Sequence, residues 1–295
     1  VAFGRPVGHG AGGRDNGGTL MRRRAHRRMF GLGTLLAGVL LVASLNACDL
    51  KPDTYVSLGD SYTAGPLILD QSTDPLGCLR STNNWPSKVA PTIKAGKFKD
   101  VSCSGAQTGD MFAPQDVTPG PANPAQTSVI DGFTKVVTLQ IGGNDIGFSD
   151  IVKTCATQNP FGSGCTGNYV HDGRDELSER ITATAPKVGN VLAEIKRRAP
   201  NAKVFLVGYP AVIPDTGNGC YPLVPVLGKD IPYLRTKLKE LNSMLQYRAV
   251  AAGVTYVDIY TPSIGHDFCQ GTSDKWVEGI VPTSVAAPVH PNADG

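Results

Sequence analysis

Ser61 is the first residue in the chain whose type and position could carry out chemistry. It lies in the stretch 55–65, where a short run of apolar, strand-favouring residues ends abruptly at Gly59-Asp60-Ser61. A strand that runs into a tight turn would present Ser61 at its carboxyl end, which is where ligands bind in open α/β sheets. A serine at such a position is a candidate nucleophile, provided that another group acts as its base. The stretch alone is equally compatible with a turn serine that caps the next helix.

Two other strand ends carry groups that could stabilise a developing negative charge. The apolar run 135–141 is followed by two glycines and Asn144, whose side chain could direct an N–H donor into the same crevice as Ser61. The weaker run 98–103 is followed by a serine and Gly105, where a backbone N–H can approach closely because glycine has no Cβ. With the backbone N–H of Ser61 these groups would give three donors, as an oxyanion hole requires. Taken alone, the sequence around Asn144 is also typical of an ordinary turn.

A nucleophilic serine needs a base, and residues 48–295 contain three histidines. His171 precedes a long helical pattern and is expected on its solvent side. His266 lies close to Cys269 in a segment that a disulfide is expected to hold. His290 follows the final strand-like run, in a loop that could reach the carboxyl edge of the sheet. His290 is therefore the preferred base.

Strand-like and helical segments alternate along the chain. The predicted strands are 54–58, 98–103, 135–141, 203–208 and 254–259. The predicted helices are 84–94, 175–198, which Pro186 should kink or split, and 231–252. The Gly- and Pro-rich segments 114–124 and 209–225 are predicted to be surface loops. Alternation of this kind implies βαβ units, and thus a parallel sheet covered by helices on both faces.

The first 47 residues are predicted to be an extension followed by a targeting signal, and residues 48–295 to be a single α/β domain. Five arginines between residues 22 and 28 precede Met29–Leu45, a run of 17 residues without a charge. This run is short for a spanning helix, which needs about 20 residues, and favours a signal for export over a retained membrane anchor. Cys48 follows Leu45-Asn46-Ala47, which resembles a bacterial lipoprotein box and makes Cys48 a candidate for lipidation. Cleavage after Ser44, which would release a soluble protein, is the alternative.

The basic character of the chain comes from this amino-terminal segment. The whole sequence has 28 basic and 25 acidic residues, a net charge of +3. Residues 1–47 hold seven arginines and one acid, so residues 48–295 have 21 basic and 24 acidic residues and a net charge of −3. The charge therefore gives no support to nucleic-acid binding.

Apart from Cys48, six cysteines occur in residues 48–295: Cys78, Cys103, Cys155, Cys165, Cys220 and Cys269. An even set in an exported protein predicts three disulfides, although spacing alone leaves 15 connectivities. No pair has Cys-x-x-Cys spacing, which disfavours zinc and thioredoxin-like chemistry. The sequence predicts neither a metal nor a cofactor.

Four motifs, in this order, resemble the SGNH (GDSL) hydrolases. The stretch Gly59-Asp60-Ser61-Tyr62 is similar to block I of that family, Gly105 to the glycine of block II, Gly142-x-Asn144-Asp145 to block III and His290-Pro291-Asn292 to block V. The resemblance covers nearly all of residues 48–295 and is closest to the secreted actinobacterial lipases and esterases. It implies a flavodoxin-like three-layer α/β/α sandwich with a mostly parallel five-stranded sheet.

The resemblance also implies a chemistry and a disulfide pattern. Ser61 would be the nucleophile of acyl-ester hydrolysis and His290 its base, with the N–H groups of Ser61 and Gly105 and the Asn144 amide as the oxyanion hole. The actinobacterial members carry three sequential disulfides, which here would pair Cys78 with Cys103, Cys155 with Cys165, and Cys220 with Cys269.

One departure from the family bears on the mechanism. The family usually has an aspartate three residues before its histidine, and this chain has Ala287 there. We therefore predict a Ser–His dyad, in which a main-chain carbonyl orients His290, that of Ala287 being preferred. Relatives also continue into a closing helix beyond the point where this sequence stops. An α/β-hydrolase elbow is a weaker reading, because Thr63 occupies the place of its second glycine.

These observations predict a secreted or cell-surface esterase or lipase. It would act as a monomer on small-molecule or lipid esters, with membrane attachment through Cys48 if that residue is lipidated. One alternative keeps the fold and changes the substrate to an acetylated carbohydrate or cell-wall polymer. The other is a surface-anchored binding protein with a vestigial site.

Overall fold

The computed structural model describes residues 53–295, and the structural statements below concern these residues. The predicted targeting segment, the candidate lipidation residue Cys48 and the predicted boundary after residue 47 lie outside them. Within the described part, no helix combines the length and the apolar character needed to cross a membrane.

Within the described residues, five of the seven strands form one sheet. In chain order the strands are β1 (Thr54–Gly59), β2 (Lys97–Asp100), β3 (Thr134–Gln140), β4 (Val170–His171), β5 (Arg174–Asp175), β6 (Lys203–Val207) and β7 (Thr255–Val257). The sheet has the order β2-β1-β3-β6-β7, and every neighbouring pair in it is parallel. Strands β4 and β5 form a small antiparallel pair of their own. The expected α/β class with a five-stranded sheet is thus confirmed, and the sheet is wholly rather than mostly parallel.

Six α-helices lie between these strands in the described residues, and the sequence predicted the second, fifth and sixth of them in chain order. They are α1 (Ser61–Ala64), α2 (Trp85–Ile93), α3 (Phe148–Cys155), α4 (Thr166–Tyr169), α5 (Glu176–Arg198) and α6 (Ile231–Ala252). Pro186 was expected to kink or split α5, but the helix is continuous over 23 residues. Buried residues on both sides of the proline, such as Ile181 and Val188, hold the two halves against the core.

Helices lie on both faces of the sheet. Side chains alternate between the faces of a strand, so neighbouring residues of β3 contact different layers. Val137 is buried in the hydrophobic core together with Leu245 of α6. Val136 points to the opposite face, where it lines a cavity of about 610 Å³ with Trp85 of α2. This arrangement is the three-layer sandwich that the sequence predicted.

The strand order places a crevice at the carboxyl ends of β1 and β3. The chain moves from β1 to one side to form β2 and then to the other side to form β3, so the direction of winding reverses at this point. In open α/β sheets such a switch point is the usual ligand site. The residues that directly follow the two strands, among them Ser61 and Asn144, are therefore placed at this crevice.

Three disulfides tie the loops to this frame. They join Cys78 to Cys103, Cys155 to Cys165 and Cys220 to Cys269, in the pairing that the family resemblance implied. Cys78 and Cys103 are fully buried. Each bridge typically stabilises a fold by about 2–4 kcal/mol, chiefly because it restricts the unfolded chain. The first bridge also fixes the segment that leads into Gly105.

Candidate active site

Ser61 is held by the sharp turn that follows β1. The Asp60 side chain caps α1, and its Oδ1 accepts a hydrogen bond from the Tyr62 N–H at 2.9 Å. Ser61 is therefore the first residue of a four-residue helix, which ends at Gly65 in the left-handed conformation. Only 7% of the Ser61 surface is exposed. The turn fixes the serine at the carboxyl edge of the sheet and leaves its side chain free to contact another loop.

The imidazole of His290 is that contact. Its Nε2 lies 2.7 Å from Ser61 Oγ, and its Nδ1 lies 2.8 Å from the carbonyl oxygen of Pro288. A carbonyl can only accept, so Nδ1 carries the proton and Nε2 is free to accept the serine proton. This tautomer is the one that a general base for Ser61 requires.

The carbonyl that orients His290 differs from the one we predicted. The Ala287 carbonyl accepts the backbone N–H of His290 at 3.2 Å and so closes a turn. Within that turn Val289 adopts a left-handed conformation with φ of 59°, which directs the Pro288 carbonyl toward the ring instead. The prediction of Ala287 was wrong because the family spacing describes a side chain, whereas a main-chain acceptor is selected by the local turn.

The histidine loop is held in this strained shape from several sides. A β-branched residue with positive φ is disfavoured, at a cost of about 1–3 kcal/mol. The Tyr62 hydroxyl donates to the Val289 carbonyl at 2.7 Å, and the Val289 N–H donates to the Gly279 carbonyl. The Tyr62 ring also packs against the His290 ring, with 5.1 Å between the centroids. Tyr62, in the turn that carries Ser61, therefore supports the His290 loop directly.

Glu278 is the buried anchor of the same loop. Its carboxylate accepts hydrogen bonds from the Thr283 N–H at 2.7 Å, Ser284 Oγ at 2.6 Å and Asn292 Nδ2 at 2.9 Å. Lys275 Nζ lies 3.6 Å away, and both charged side chains are almost fully buried. The Glu278 N–H also donates to the His290 carbonyl at 2.9 Å. The carboxylate thus orders the chain on both sides of His290 without touching its ring.

We expect Glu278→Gln to lower the free energy of unfolding by about 3 kcal/mol at neutral pH, because it leaves the Lys275 charge buried without its partner. Burial raises the pKa of Glu278, but the hydrogen bonds to its carboxylate outweigh that effect and lower it from 4.5 to about 2. A depressed pKa adds stability above the unfolded-state value, and this stability is lost as the pH falls from about 4.5 toward 2. Chemical denaturation of the wild type and of Glu278→Gln at several pH values in this range should show that the difference between their free energies of unfolding shrinks as the pH falls.

Glu194→Gln is the matched control for this measurement. Glu194 also has a pKa lowered to about 2, through hydrogen bonds from Arg197 and Arg198 at the surface of α5. Surface pairs contribute about 0–1 kcal/mol, so this variant should change little. A Glu278→Gln effect as small as that of the control would remove the anchoring role.

Asn144 lies opposite Ser61 in the crevice. Its Nδ2 donates to the Ala106 carbonyl at 2.9 Å, which fixes the orientation of the amide. Gly105, immediately before Ala106, has a φ of 81°, a conformation that favours glycine. The structure therefore brings the two predicted donor segments into contact with each other.

A small cavity of about 20 Å³ joins Ser61 to Asn144, and an apolar cavity of about 100 Å³ extends from it. The two cavities share four lining residues: Phe148, Val212, Leu238 and Leu241. The second is lined almost entirely by aliphatic and aromatic side chains, including Val224, Phe268 and Ile280. The larger cavity on the other face of the sheet has none of Ser61, Asn144 and His290 in its lining. The space that continues from the serine is therefore the apolar one behind Phe148.

His290 should remain neutral to lower pH than an ordinary histidine. Burial lowers its pKa from 6.5, and the hydrogen bond to Pro288 offsets this only in part. In a proton NMR titration we expect the His290 C–H resonances to move with a midpoint below 6.5, assigned by their loss in His290→Asn. A midpoint above 6.5 would indicate a carboxylate facing Nδ1. A pH–activity profile would not distinguish the titration of His290 from that of Asp60. Burial raises the pKa of Asp60 to about 7, although the hydrogen bond from Tyr209 acts in the opposite direction.

The other two histidines are engaged elsewhere. His266 stacks on Trp276, with 3.8 Å between the ring centroids, and its Nδ1 contacts the Asp274 carbonyl. His171 lies in β4, exposed and beside Asp172. Neither lines the cavities next to Ser61.

Three residues of the site, Tyr62, Tyr209 and Glu278, were assigned no role from the sequence. Tyr62 adjoins Ser61, but its contact with Val289 spans 227 residues and leaves no local pattern. Tyr209 lies two residues after β6 and therefore at the same edge of the sheet, and this position was the available signal. Glu278 gives no signal in the sequence, because its hydrogen-bond partners follow it in an irregular loop.

Comparison with known proteins relates nearly all of the described chain to one family. Residues 57–295 match the model of the GDSL-like lipase/acylhydrolase family. Lipase 2 of Streptomyces coelicolor is 36% identical over 284 residues, which is 93% of this chain and 93% of that protein. The extracellular lipase of Streptomyces rimosus superposes with a TM-score of 0.68 at 29% identity, over 82% of this chain and 94% of that one. Phospholipase A1 of Streptomyces albidoflavus has a TM-score of 0.65 at 25% identity, with the same coverage.

Proposed function

The chain belongs to the GDSL-like lipase/acylhydrolase family and is a carboxylic ester hydrolase, and we propose on that premise that it cleaves acyl esters through an acyl-serine intermediate. Ser61 and His290 act as a catalytic dyad. The observation that carries the proposal is the 2.7 Å contact between Ser61 Oγ and His290 Nε2, with Nδ1 held by a carbonyl. A serine that was only a helix cap would not need an oriented base.

The reaction proceeds in two halves. Ser61 Oγ attacks the ester carbonyl carbon while its proton moves to His290 Nε2. The tetrahedral intermediate then expels the alcohol, which takes the proton from His290 and leaves an acyl group on Ser61. In the second half His290 removes a proton from water, the resulting nucleophile attacks the acyl carbon, and the carboxylic acid leaves as the proton returns to Ser61.

The negative charge of each tetrahedral intermediate is stabilised by the N–H groups of Ser61 and Gly105 and by the Asn144 amide. These donors belong to the turns after β1 and β3 and to the loop that the first disulfide fixes. Donors that are already in place need no rearrangement as charge develops, which is the main source of their effect on rate.

The apolar cavity behind Ser61 supports acyl chains of several carbons as substrates. Its lining by Phe148, Val212 and Leu238 matches an alkyl chain and offers few polar partners. An acetyl group would leave that space unfilled, so the acetylated carbohydrates considered from the sequence are the less favoured class. The phospholipase A1 and the lipases among the compared proteins have the same fold, which supports a lipid ester.

Export is part of the proposed function. Residues 1–47 would serve as the signal, with Cys48 as a site of lipidation, or the protein would be released after Ser44. The three disulfides support this assignment, because such bonds persist in oxidising compartments.

A substrate panel with two cavity variants tests the assignment. Nitrophenyl esters from acetyl to palmitoyl should be hydrolysed with a preference for chains of several carbons over acetyl, and a fluorophosphonate should label Ser61. Leu238→Trp, which fills the apolar cavity, should shift the preference toward short chains. Val89→Trp, which fills the cavity on the other face, should leave it unchanged. Absence of both labelling and hydrolysis would support the vestigial binding protein instead.

A further inference from the structure

The Tyr209 hydroxyl joins the turn that carries Ser61 to the turn that carries Asn144. It accepts a hydrogen bond from the Gly143 N–H at 2.8 Å and donates one to Asp60 Oδ2 at 2.5 Å. Asp60 directly precedes Ser61, and Gly143 directly precedes Asn144. One side-chain oxygen therefore bridges the two turns. The proposed mechanism requires the relative position of these turns to be fixed.

Tyr209 is well suited to hold this distance, because it is itself fixed. It is 3% exposed and follows β6, the neighbour of β3 in the sheet. Its backbone N–H donates to Asn242 Oδ1 at 2.7 Å, and Asn242 Nδ2 donates to its carbonyl at 2.9 Å. Its ring meets the Tyr62 ring edge to face, with 5.2 Å between the centroids. Both the backbone and the ring are thus restrained from outside the turns that they connect.

The contact with Gly143 is close enough to restrict that position. A Cβ added at Gly143 would lie 3.1 Å from the Tyr209 hydroxyl oxygen. The missing side chain lets the hydroxyl reach the backbone N–H. The lack of a side chain at Gly143 therefore leaves room for the Tyr209 hydroxyl, in addition to permitting the turn.

We propose that Tyr209 is a positioning residue for the oxyanion hole, which sets the place of Asn144 relative to Ser61. The inference rests on the proposed ester hydrolysis and assigns a role to a hydroxyl that is bonded to the two turns, through Asp60 and Gly143, and not to Ser61 Oγ or the Asn144 amide. A displacement of about 1 Å at a reacting centre can cost about a hundredfold in rate, so a single buried bridge between the two turns has a measurable effect. The ground-state ester is bound mainly by its acyl chain, and its affinity does not depend on this bridge.

Tyr209→Phe tests this directly, because it keeps the ring and removes only the hydroxyl. We expect kcat to fall about ten- to a hundredfold and KM to change by less than about twofold. The variant also loses stability, since the buried Asp60 carboxylate loses a donor. Activity is therefore compared well below the melting temperature of each protein.

Tyr55→Phe is the matched control. Tyr55 is fully buried at the start of β1, and its hydroxyl bonds to Thr138 Oγ1 at 3.0 Å, away from the carboxyl edge. It should lose stability as Tyr209→Phe does and keep its kcat. A fall in kcat in both variants would show that general loosening of the fold is the cause, and it would overturn the proposal.

Coupling to Asn144 separates positioning from an independent effect. If Tyr209 acts through Asn144, then Tyr209→Phe in an Asn144→Ala background should cost less than about twofold in kcat. An unchanged kcat in the single variant, or an equal loss in both backgrounds, would overturn the proposal while the wild-type protein still hydrolysed esters. If Tyr209→Phe does not fold, Asp60→Asn replaces it in the comparison of the wild-type and Asn144→Ala backgrounds. Asp60→Asn weakens the same bridge and keeps the size of the side chain. A wild-type protein without esterase activity would refute the proposed function instead.

Discussion

Ser61→Ala should abolish ester hydrolysis, with a fall in kcat on the order of a millionfold, or about 8 kcal/mol in the barrier. In the proposed mechanism the variant removes the atom that attacks the ester and carries the acyl group. The fold should survive, because the Asp60 side chain rather than Ser61 caps α1. Steady-state hydrolysis of a long-chain nitrophenyl ester measures the loss, and the melting temperature verifies the fold.

Two further variants test whether the loss of kcat is specific to Ser61 and whether Ser61 acts together with His290. Ser57→Ala removes a fully buried serine from β1, the strand that precedes Ser61, and should retain activity. The double variant Ser61→Ala with His290→Ala should be hardly slower than either single variant, because residues that act as one unit are not additive. A double variant that is a further thousandfold slower would mean that Ser61 and His290 contribute independently, and the dyad would be incorrect.

Asn144→Ala should lower kcat by about 10²–10³-fold, or about 3–4 kcal/mol, with little change in KM. In the proposed mechanism the amide stabilises charge that is present only in the tetrahedral intermediates, so its removal should affect the transition state rather than substrate binding. The side chain is already oriented by the Ala106 carbonyl, which prepares the donor before the substrate arrives.

Asn218→Ala, in an exposed part of the loop before α6, serves as the control and should behave as the wild type. An Asn144→Ala enzyme that kept its kcat and raised its KM would assign the amide to substrate binding. The same result would leave Tyr209 without the partner through which it is inferred to act.

The parts of the fold that sequence alone predicted are those governed by local patterns. Apolar runs and helical periodicity located the five strands of the sheet and the long helices α5 and α6, because burial imposes a period on each of them. The expected break at Pro186 did not occur, since packing on both sides of the proline compensates for its missing hydrogen bond. The family spacing of six cysteines gave the disulfide pairs, which the number of cysteines alone could not.

The contacts that hold the side chains of the candidate site in place could not be predicted from the sequence. Ser61, Asn144 and His290 could be proposed because each follows a strand or matches a motif. The acceptor for His290 depends on the backbone conformation of Val289, and a β-branched residue gives no reason to expect positive φ. Tyr209 and Glu278 act through contacts between distant segments, which no local pattern in a single sequence records.

Ser61 and His290 lie 229 positions apart in the sequence, so the contact between them depends on the closure of a long loop. During synthesis the turn that carries Ser61 is made long before His290, and the contact with the proposed base cannot form until residue 290 has been added. Contacts between distant segments require loop closure and form slowly. Recovery of esterase activity after denaturation should therefore lag behind the recovery of helical circular dichroism. Conversely, detachment of the short segment around His290 would silence the enzyme while the sheet remained intact, so inactivation by heat should begin before the global melting transition.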